Sequence, residues 1–344
     1  MPAFPNPQAP TPPRAPAQEP EAAPAPRIGL VGATGAVGAS VAAALAGAEA
    51  PFAVIGRSEA GLNAAFAAAP LARLRRWDPQ DGAAIRAALR GLDTLVYMVG
   101  VPYDAFHLHP ELMRRTIAAA QAEGVRRLLL IGTAYPFGRA RAARVDERHP
   151  RAPHTFKGRM RMEQEDVLMA AHAAGGLEAA ILRLPDFYGP GVERSFLADI
   201  FAAAARGRRA NVVGPVDTPH EFVFVPDVGP VVRALLARDE AFGRTFNLGG
   251  AGTITVREVA RQAFALAGRK PKLMVAGRTL LRLAGLFDPV MRELVEMHYL
   301  MREPVVFDDT ALEGLVGPIS KTPYAQGIAR CMAAAQVAQG RAAA

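Results

Sequence analysis

The sequence predicts an α/β fold, a doubly wound parallel sheet followed by a smaller, mostly helical C-terminal lobe. Three observations point there. Short apolar runs alternate with helical segments through the first half of the chain. A glycine-rich turn, Gly32-Ala33-Thr34-Gly35-Ala36-Val37-Gly38, joins the first apolar run to the first helical segment. Beyond Gly189 the alternation loosens and helical patterns dominate.

Residues 1–26 are rich in Pro and Ala and poor in large apolar side chains, so a disordered tail is expected. Residues 28–31, 52–55 and 71–77 read as the first three strands. A helix near 83–89 precedes a strand at 95–99. A helix through 112–122 leads to a strand at 128–131, and one from about 156 to 174 leads to a strand at 179–182. Runs this apolar suit a parallel sheet covered on both faces, with ligands at the carboxyl ends of its strands. A helix at 196–205, a strand at 222–225, a helix at 228–237 and a strand at 246–248 follow. The stripes Leu280, Leu281, Leu283, Leu286 and Met291, Leu294, Met297, Met301 read as core. The expected organisation is a nucleotide-binding domain at 27–190 and a substrate lobe at 191–344, with 221–250 returning to the first domain.

The glycine turn predicts the ligand. Gly32 permits the tight turn, Gly35 lets backbone approach a pyrophosphate, and Gly38 allows close packing of the helix. Free N–H groups of Ala36, Val37 and Gly38 at the helix start would then face phosphates, with Thr34 in the same loop. This is the signature of a Rossmann dinucleotide site.

Composition narrows the rest. A single cysteine, Cys331, excludes an intramolecular disulfide and a multi-thiolate zinc site, and suits a reducing cytoplasm. No metal site is expected, because His107 and His109 have no partner at ligand spacing and read as solvated loop residues. Forty basic against 32 acidic residues give a net charge of +8. The basic residues are scattered, which favours small anionic ligands over nucleic acid. Arg206, Arg208 and Arg209 form the densest cluster and read as a solvated loop. No segment is long and uncharged enough to span a bilayer, and no membrane partner is expected.

Beyond the glycine turn, several motifs occur in a telling order. They are Gly91-Leu92-Asp93-Thr94-Leu95-Val96-Tyr97-Met98-Val99-Gly100, then Ile131-Gly132-Thr133-Ala134-Tyr135-Pro136-Phe137-Gly138, then Leu182-Arg183-Leu184-Pro185-Asp186-Phe187-Tyr188-Gly189. Glu221-Phe222-Val223-Phe224-Val225-Pro226-Asp227 and Phe246-Asn247-Leu248-Gly249-Gly250 follow. From Arg27 to about residue 335 the chain resembles the extended short-chain dehydrogenase/reductase family, also called the NAD-dependent epimerase/dehydratase family. The resemblance implies cofactor contacts at Val99, Gly100 and Pro185, and places Asp78 against the adenine amino group. It also implies a possible homodimer through residues 112–122 and 156–174.

The second strand ends in Gly56-Arg57-Ser58, where an NAD enzyme usually has Asp or Glu for the ribose 2′-hydroxyl. Arg57 and Ser58 suit a 2′-phosphate, so NADP is expected ahead of NAD. The resemblance implies Thr133 as the catalytic hydroxyl. It expects Tyr and Lys four residues apart on the next helix. With Glu165 as the anchor those positions hold Lys157 and Arg161, which share one helix face. A shifted alignment on Glu163 gives Thr155 and Arg159, a poorer acid. Lys157 can donate a proton or stabilise an alkoxide, and Arg161 can hydrogen-bond the nicotinamide ribose. Tyr103, Tyr135, Tyr188 and His220 are the residues expected near substrate.

His220-Glu221-Phe222 stands where nucleotide-sugar enzymes of the family usually have Arg-Asp-Phe. The leading expectation is therefore an NADP-dependent oxidoreductase reducing a small, fairly apolar carbonyl or enone. Two alternatives stay open: an NADP-binding sensor without turnover, and a nucleotide-sugar epimerase or dehydratase.

Overall fold

A computed structural model describes residues 27–287, 293 and 295–343. The expected tail at 1–26, with Met291 and Leu294 of the second apolar stripe, lies outside the described residues. The first half runs β1 (Ile28–Val31), α1 (Ala36–Ala46), β2 (Phe52–Gly56), α2 (Glu59–Phe66), β3 (Ala72–Arg76), α3 (Gly82–Leu89) and β4 (Thr94–Tyr97). It continues with α4 (Leu108–Ala122), β5 (Arg127–Thr133), α5 (Phe156–Ala173) and β6 (Glu178–Leu184). Next come β7 (Asp186–Tyr188), α6 (Ala198–Arg206), β8 (Ala210–Val213), β9 (His220–Phe224) and α7 (Val225–Leu236). β10 (Thr245–Asn247), β11 (Thr253–Ile254), α8 (Val256–Leu266) and β12 (Leu273–Ala276) lead into short helices and a C-terminal helix, Tyr324–Ala343.

Seven strands form one parallel sheet in the order β10-β6-β5-β4-β1-β2-β3. The crossover from β3 back to β4 places the topological switch beside β1, where a dinucleotide crevice opens. Successive strand residues point to opposite faces, so the two covering layers draw on alternate positions. Leu30, Val54 and Val96 pack with the α1 and α7 side, and Val31, Ala53 and Leu95 with the α3 and α4 side. All six are fully buried. This explains why the runs are continuously apolar rather than alternating. β3 sits at the edge and is correspondingly basic.

The C-terminal lobe packs α6, α8 and the C-terminal helix around β8 and β9. β7, β9 and β11 form a small second sheet, and β8 pairs with β12. β10, although late in the chain, completes the main sheet beside β6. The apolar stripe at 280–286 departs from its expected core role. Leu281 is buried, but Leu280, Leu283 and Leu286 face solvent, because among the described residues nothing covers that side of the helix. Met297 and Met301 are buried as expected. No described helix is long and apolar enough to cross a membrane.

Helices α1 and α7 meet at nearly backbone distance. Ser40 Oγ accepts from the Gly229 amide at 2.9 Å and donates to Pro226 O at 3.3 Å. A Cβ on Gly229 would lie 2.1 Å from Ser40 O, a backbone atom that cannot yield alone. Gly229→Ala should therefore cost roughly 1–3 kcal/mol in urea unfolding, the usual range for overpacking. An unchanged midpoint would show that the helices separate freely.

Candidate active site at the carboxyl ends of the strands

The glycine turn has the geometry its sequence implies. Gly32 has φ +83°, and a Cβ there would lie 2.9 Å from the Met98 carbonyl. A Cβ on Gly38 would lie 2.4 Å from Ala33 O, so the helix closes on its own loop. Gly35 differs. Its Cβ would meet nothing nearer than 3.7 Å, which leaves the turn open on the ligand side. Gly35 is also the N-cap of α1, with no side chain capping the helix and no acidic residue in its first turn. The first amides of α1 thus stay available to a diphosphate. Val99 and Gly100 follow β4 beside this turn, and a Cβ on Gly100 would meet nothing within 4 Å. Pro185 is buried at the break between β6 and β7. A dinucleotide therefore fits this crevice.

At the adenosine end, Arg57 is exposed and makes no ion pair among the described residues. Ser58 caps α2, its Oγ accepting from Gly61 N at 3.1 Å, which leaves its O–H to donate outward. The sequence reading missed Arg76. It pairs with Gly56 in the β2–β3 register, so it ends β3 next to Arg57. Asp78 is a turn residue here, with Oδ1 accepting from Gln80 N at 2.9 Å.

The inner face of α5 brings together buried charges. Lys157 is 0% exposed. Its Nζ donates to Glu293 and, at 2.7 Å, to Glu296, whose other oxygen accepts from the Lys157 amide at 3.1 Å. Neither glutamate was singled out in the sequence, since nothing local links residues so far apart. Arg161 donates to His109 Nδ1 at 3.1 Å, to Gln164 Oε1 at 2.8 Å and to Ile131 O at 3.3 Å. His109 is therefore not a solvated loop residue. It lies buried on α4, and burial first, then the Arg161 charge, pushes its pKa down to about 2. One turn further along α5, Glu165 receives two bonds from Arg183, at 2.8 and 2.6 Å. The shifted alignment fails on geometry. Thr155 caps α5 through Gly158 N at 3.0 Å, and Arg159 is exposed.

Around Lys157 stand phenols. Its Nζ lies 5.7 Å from the Tyr103 ring centre and 5.6 Å from that of Phe106. Tyr103 and Tyr135 hydrogen-bond to each other, and burial raises both above the usual phenol range. Thr133 ends β5, and its Oγ1 accepts from Tyr135 N at 3.4 Å. His220 Nε2 bonds Asp186 Oδ2 at 2.7 Å, and Asp186 faces the Tyr135 phenol electrostatically. Tyr188 is elsewhere. It is 1% exposed in the lobe core, stacked on Tyr324 and packed against Phe224, so it does not shape an open substrate pocket.

The sequence profile of the NAD dependent epimerase/dehydratase family matches residues 28–249. The chain belongs to this family. An uncharacterised UDP-glucose epimerase of Bacillus subtilis is 21% identical over 201 residues, 55% of this chain and 63% of that protein. The chain thus spans less than two thirds of that relative's length. A dTDP-glucose 4,6-dehydratase from Streptomyces venezuelae, solved with NAD and TYD bound, has a TM-score of 0.76 at 20% identity, covering 92% and 98% of the two chains. A UDP-glucuronic acid 4-epimerase from Bacillus cereus, solved with NAD, has a TM-score of 0.75 at 13% identity, covering 90% and 99%. These structures share the fold.

A second buried acid ties the lobe to the sheet. Glu221 Oε2 accepts from Phe307 N at 2.8 Å, and Asp309 accepts from Gly249 N at 3.2 Å and from Lys321. Burial raises the Glu221 carboxyl to about 7. Its folded pKa lies above the unfolded value, so its protonation favours the fold fully below about pH 4.5, and this contribution is lost as pH rises through about 7. Between pH 5 and 8 the native protein should lose about 2.5 kcal/mol more stability than Glu221→Gln, which lacks this titration. Urea melts of both proteins across that range check it, and parallel curves would refute it.

Proposed function

We propose that the protein is a nicotinamide-dinucleotide-dependent enzyme acting at a hydroxyl or carbonyl carbon of a nucleotide-sugar substrate. Behind it stand Thr133 and Tyr135 at the end of β5, with Lys157 beside the Tyr103 ring that bonds Tyr135, and the open dinucleotide turn. The named activities of the similar proteins support the sugar class over the small enone. When bound, the nicotinamide supplies the hydride acceptor or donor. The chain supplies the rest. Thr133 hydrogen-bonds the reacting oxygen, and Lys157 places a positive charge where an alkoxide develops. Arg161, locked by three bonds, orients the ribose. His220 is taken up by Asp186, so the substrate diphosphate is assigned instead to Arg194, an exposed residue electrostatically close to Tyr103.

NADP remains our choice over NAD, now on two arginines rather than one. Arg57 and Arg76 end adjacent strands with no acidic residue between them in the register, which suits a 2′-phosphate. A binding protein without turnover is the second reading, favoured by the complete burial of Lys157 against two carboxylates.

Two measurements separate these readings. Fluorescence titration should show Arg57→Ala losing about tenfold in NADPH affinity, the worth of a charge-assisted bond, with NADH unchanged. Equal losses for both would assign NAD. In a screen of UDP- and dTDP-sugars, Lys157→Met should lower turnover at least about 100-fold with NADPH affinity retained. Wild-type binding with no turnover on any sugar would favour the sensor.

A further inference from the structure

Two features stand apart from the cleft. Arg206, Arg208 and Arg209 follow α6, and Arg269, Lys270 and Lys272 follow α8. The pairing of β8 with β12 sets Leu273 opposite Ala210, so the two basic clusters meet at one end of this two-stranded sheet. Arg208 is neutralised by Asp199. Arg269 is a structural prop, donating to Ala204 O at 2.9 Å and Ala205 O at 2.8 Å. Arg206, Arg209, Lys270 and Lys272 are left exposed, with no ion pair among the described residues. Gly207, Phe264, Arg269, Lys270 and Lys272 line a cavity of about 290 Å³. In sequence there is no acidic residue from 200 to 216 or from 259 to 287.

The second feature is the uncovered apolar surface that begins where the basic cluster ends. Met274 and Val275 on β12 are 43% and 42% exposed. On the following helix and turn, Leu280, Leu283, Leu286 and Phe287 are 47%, 58%, 75% and 91% exposed. Their spacing of three, three and one sets them on one side of the turn. β12 spans roughly 13 Å at about 3.3 Å per residue, so the basic cluster at its start and the apolar groups after its end lie close along the chain.

We propose that this face docks on an anionic membrane surface, with Leu283, Leu286 and Phe287 in the headgroup–acyl boundary and Arg206, Arg209, Lys270 and Lys272 on lipid phosphates. Apolar side chains flanked by unpaired cations suit that interface. A second copy of this chain fits poorly, since a two-fold contact would press the unpaired cations against each other. Residues 1–26 offer only Glu19 and Glu21 as acids and Met1 and Phe4 as large apolar groups, too little to cover the face. The absence of a spanning helix does not bear on such a contact. The inference is independent of the reaction proposed above.

Co-sedimentation with vesicles of phosphatidylcholine and phosphatidylglycerol tests it. The full chain should pellet with vesicles holding a quarter phosphatidylglycerol and stay in solution with pure phosphatidylcholine. Raising NaCl from 0.1 to 0.5 M should weaken binding at least about tenfold. Phe287→Asp with Leu283→Asp, and separately Lys270→Glu with Lys272→Glu, should each lower it by a similar factor with unchanged melting temperature. The exposed positions of both pairs make folding defects a separate, measurable outcome. No pelleting with anionic vesicles overturns the proposal, as does binding that ignores either pair. A Phe287-dependent dimer by light scattering, or tighter binding to a DNA duplex than to vesicles, also overturns it.

Discussion

Charge neutralisation along the buried face of α5 joins the two halves of this protein. Lys157, Arg161 and Glu165 are 0%, 7% and 2% exposed. A buried charge without a partner costs several kcal/mol, so each must be met by a group brought from elsewhere. Glu293 and Glu296 come from the C-terminal lobe, His109 from α4, and Arg183 from β6. The helix therefore has one acceptable position against the sheet and the lobe one acceptable position against the helix. A site built on such a face has its side chains held before any ligand arrives, which is the condition for electrostatic catalysis.

The sheet was legible because its signal is local. Each strand is a short apolar run, and each covering helix has its own period. The dinucleotide turn was legible for the same reason, since all its glycines fall within seven residues. The catalytic side was half legible. The four-residue spacing of Lys157 and Arg161 placed them on one face, and the structure agrees. Glu293, Glu296 and His109, which meet them, lie 52 to 139 positions away, and no local pattern announces them. Helical spacing also reports a face without reporting what covers it. That is why Leu283 and Leu286 read as core and yet stand in solvent. Tyr188 fails in the opposite sense: a polar-tipped residue expected near substrate ends the short strand β7 and is buried in the lobe core.

On the alignment anchored at Glu165, a lysine in place of the expected tyrosine changes the electrostatics as well as the residue. A phenol works as an acid near neutrality when an uncompensated cation lies beside it. Here the nearby ammonium is already met by two carboxylates, and burial pushes Tyr103 and Tyr135 upward. Both phenols therefore remain neutral hydrogen-bond donors through the ordinary pH range. They can orient a substrate oxygen, while the formal positive charge at the centre belongs to Lys157.

The charge balance there also constrains how a substrate lies. An ammonium has three protons, and Lys157 commits two of them to Glu293 and Glu296. In the proposed reading the third is the one that meets a reacting oxygen. The two carboxylates beside that ammonium keep acceptor lone pairs that welcome the hydroxyl donors of a sugar. In the proposed reading the sugar ring must face this triad and the diphosphate must face away from it. Arg194, exposed on the segment after β7, is the group that meets the diphosphate in that reading. In that reading Lys157 and its two glutamates set the direction in which the substrate binds.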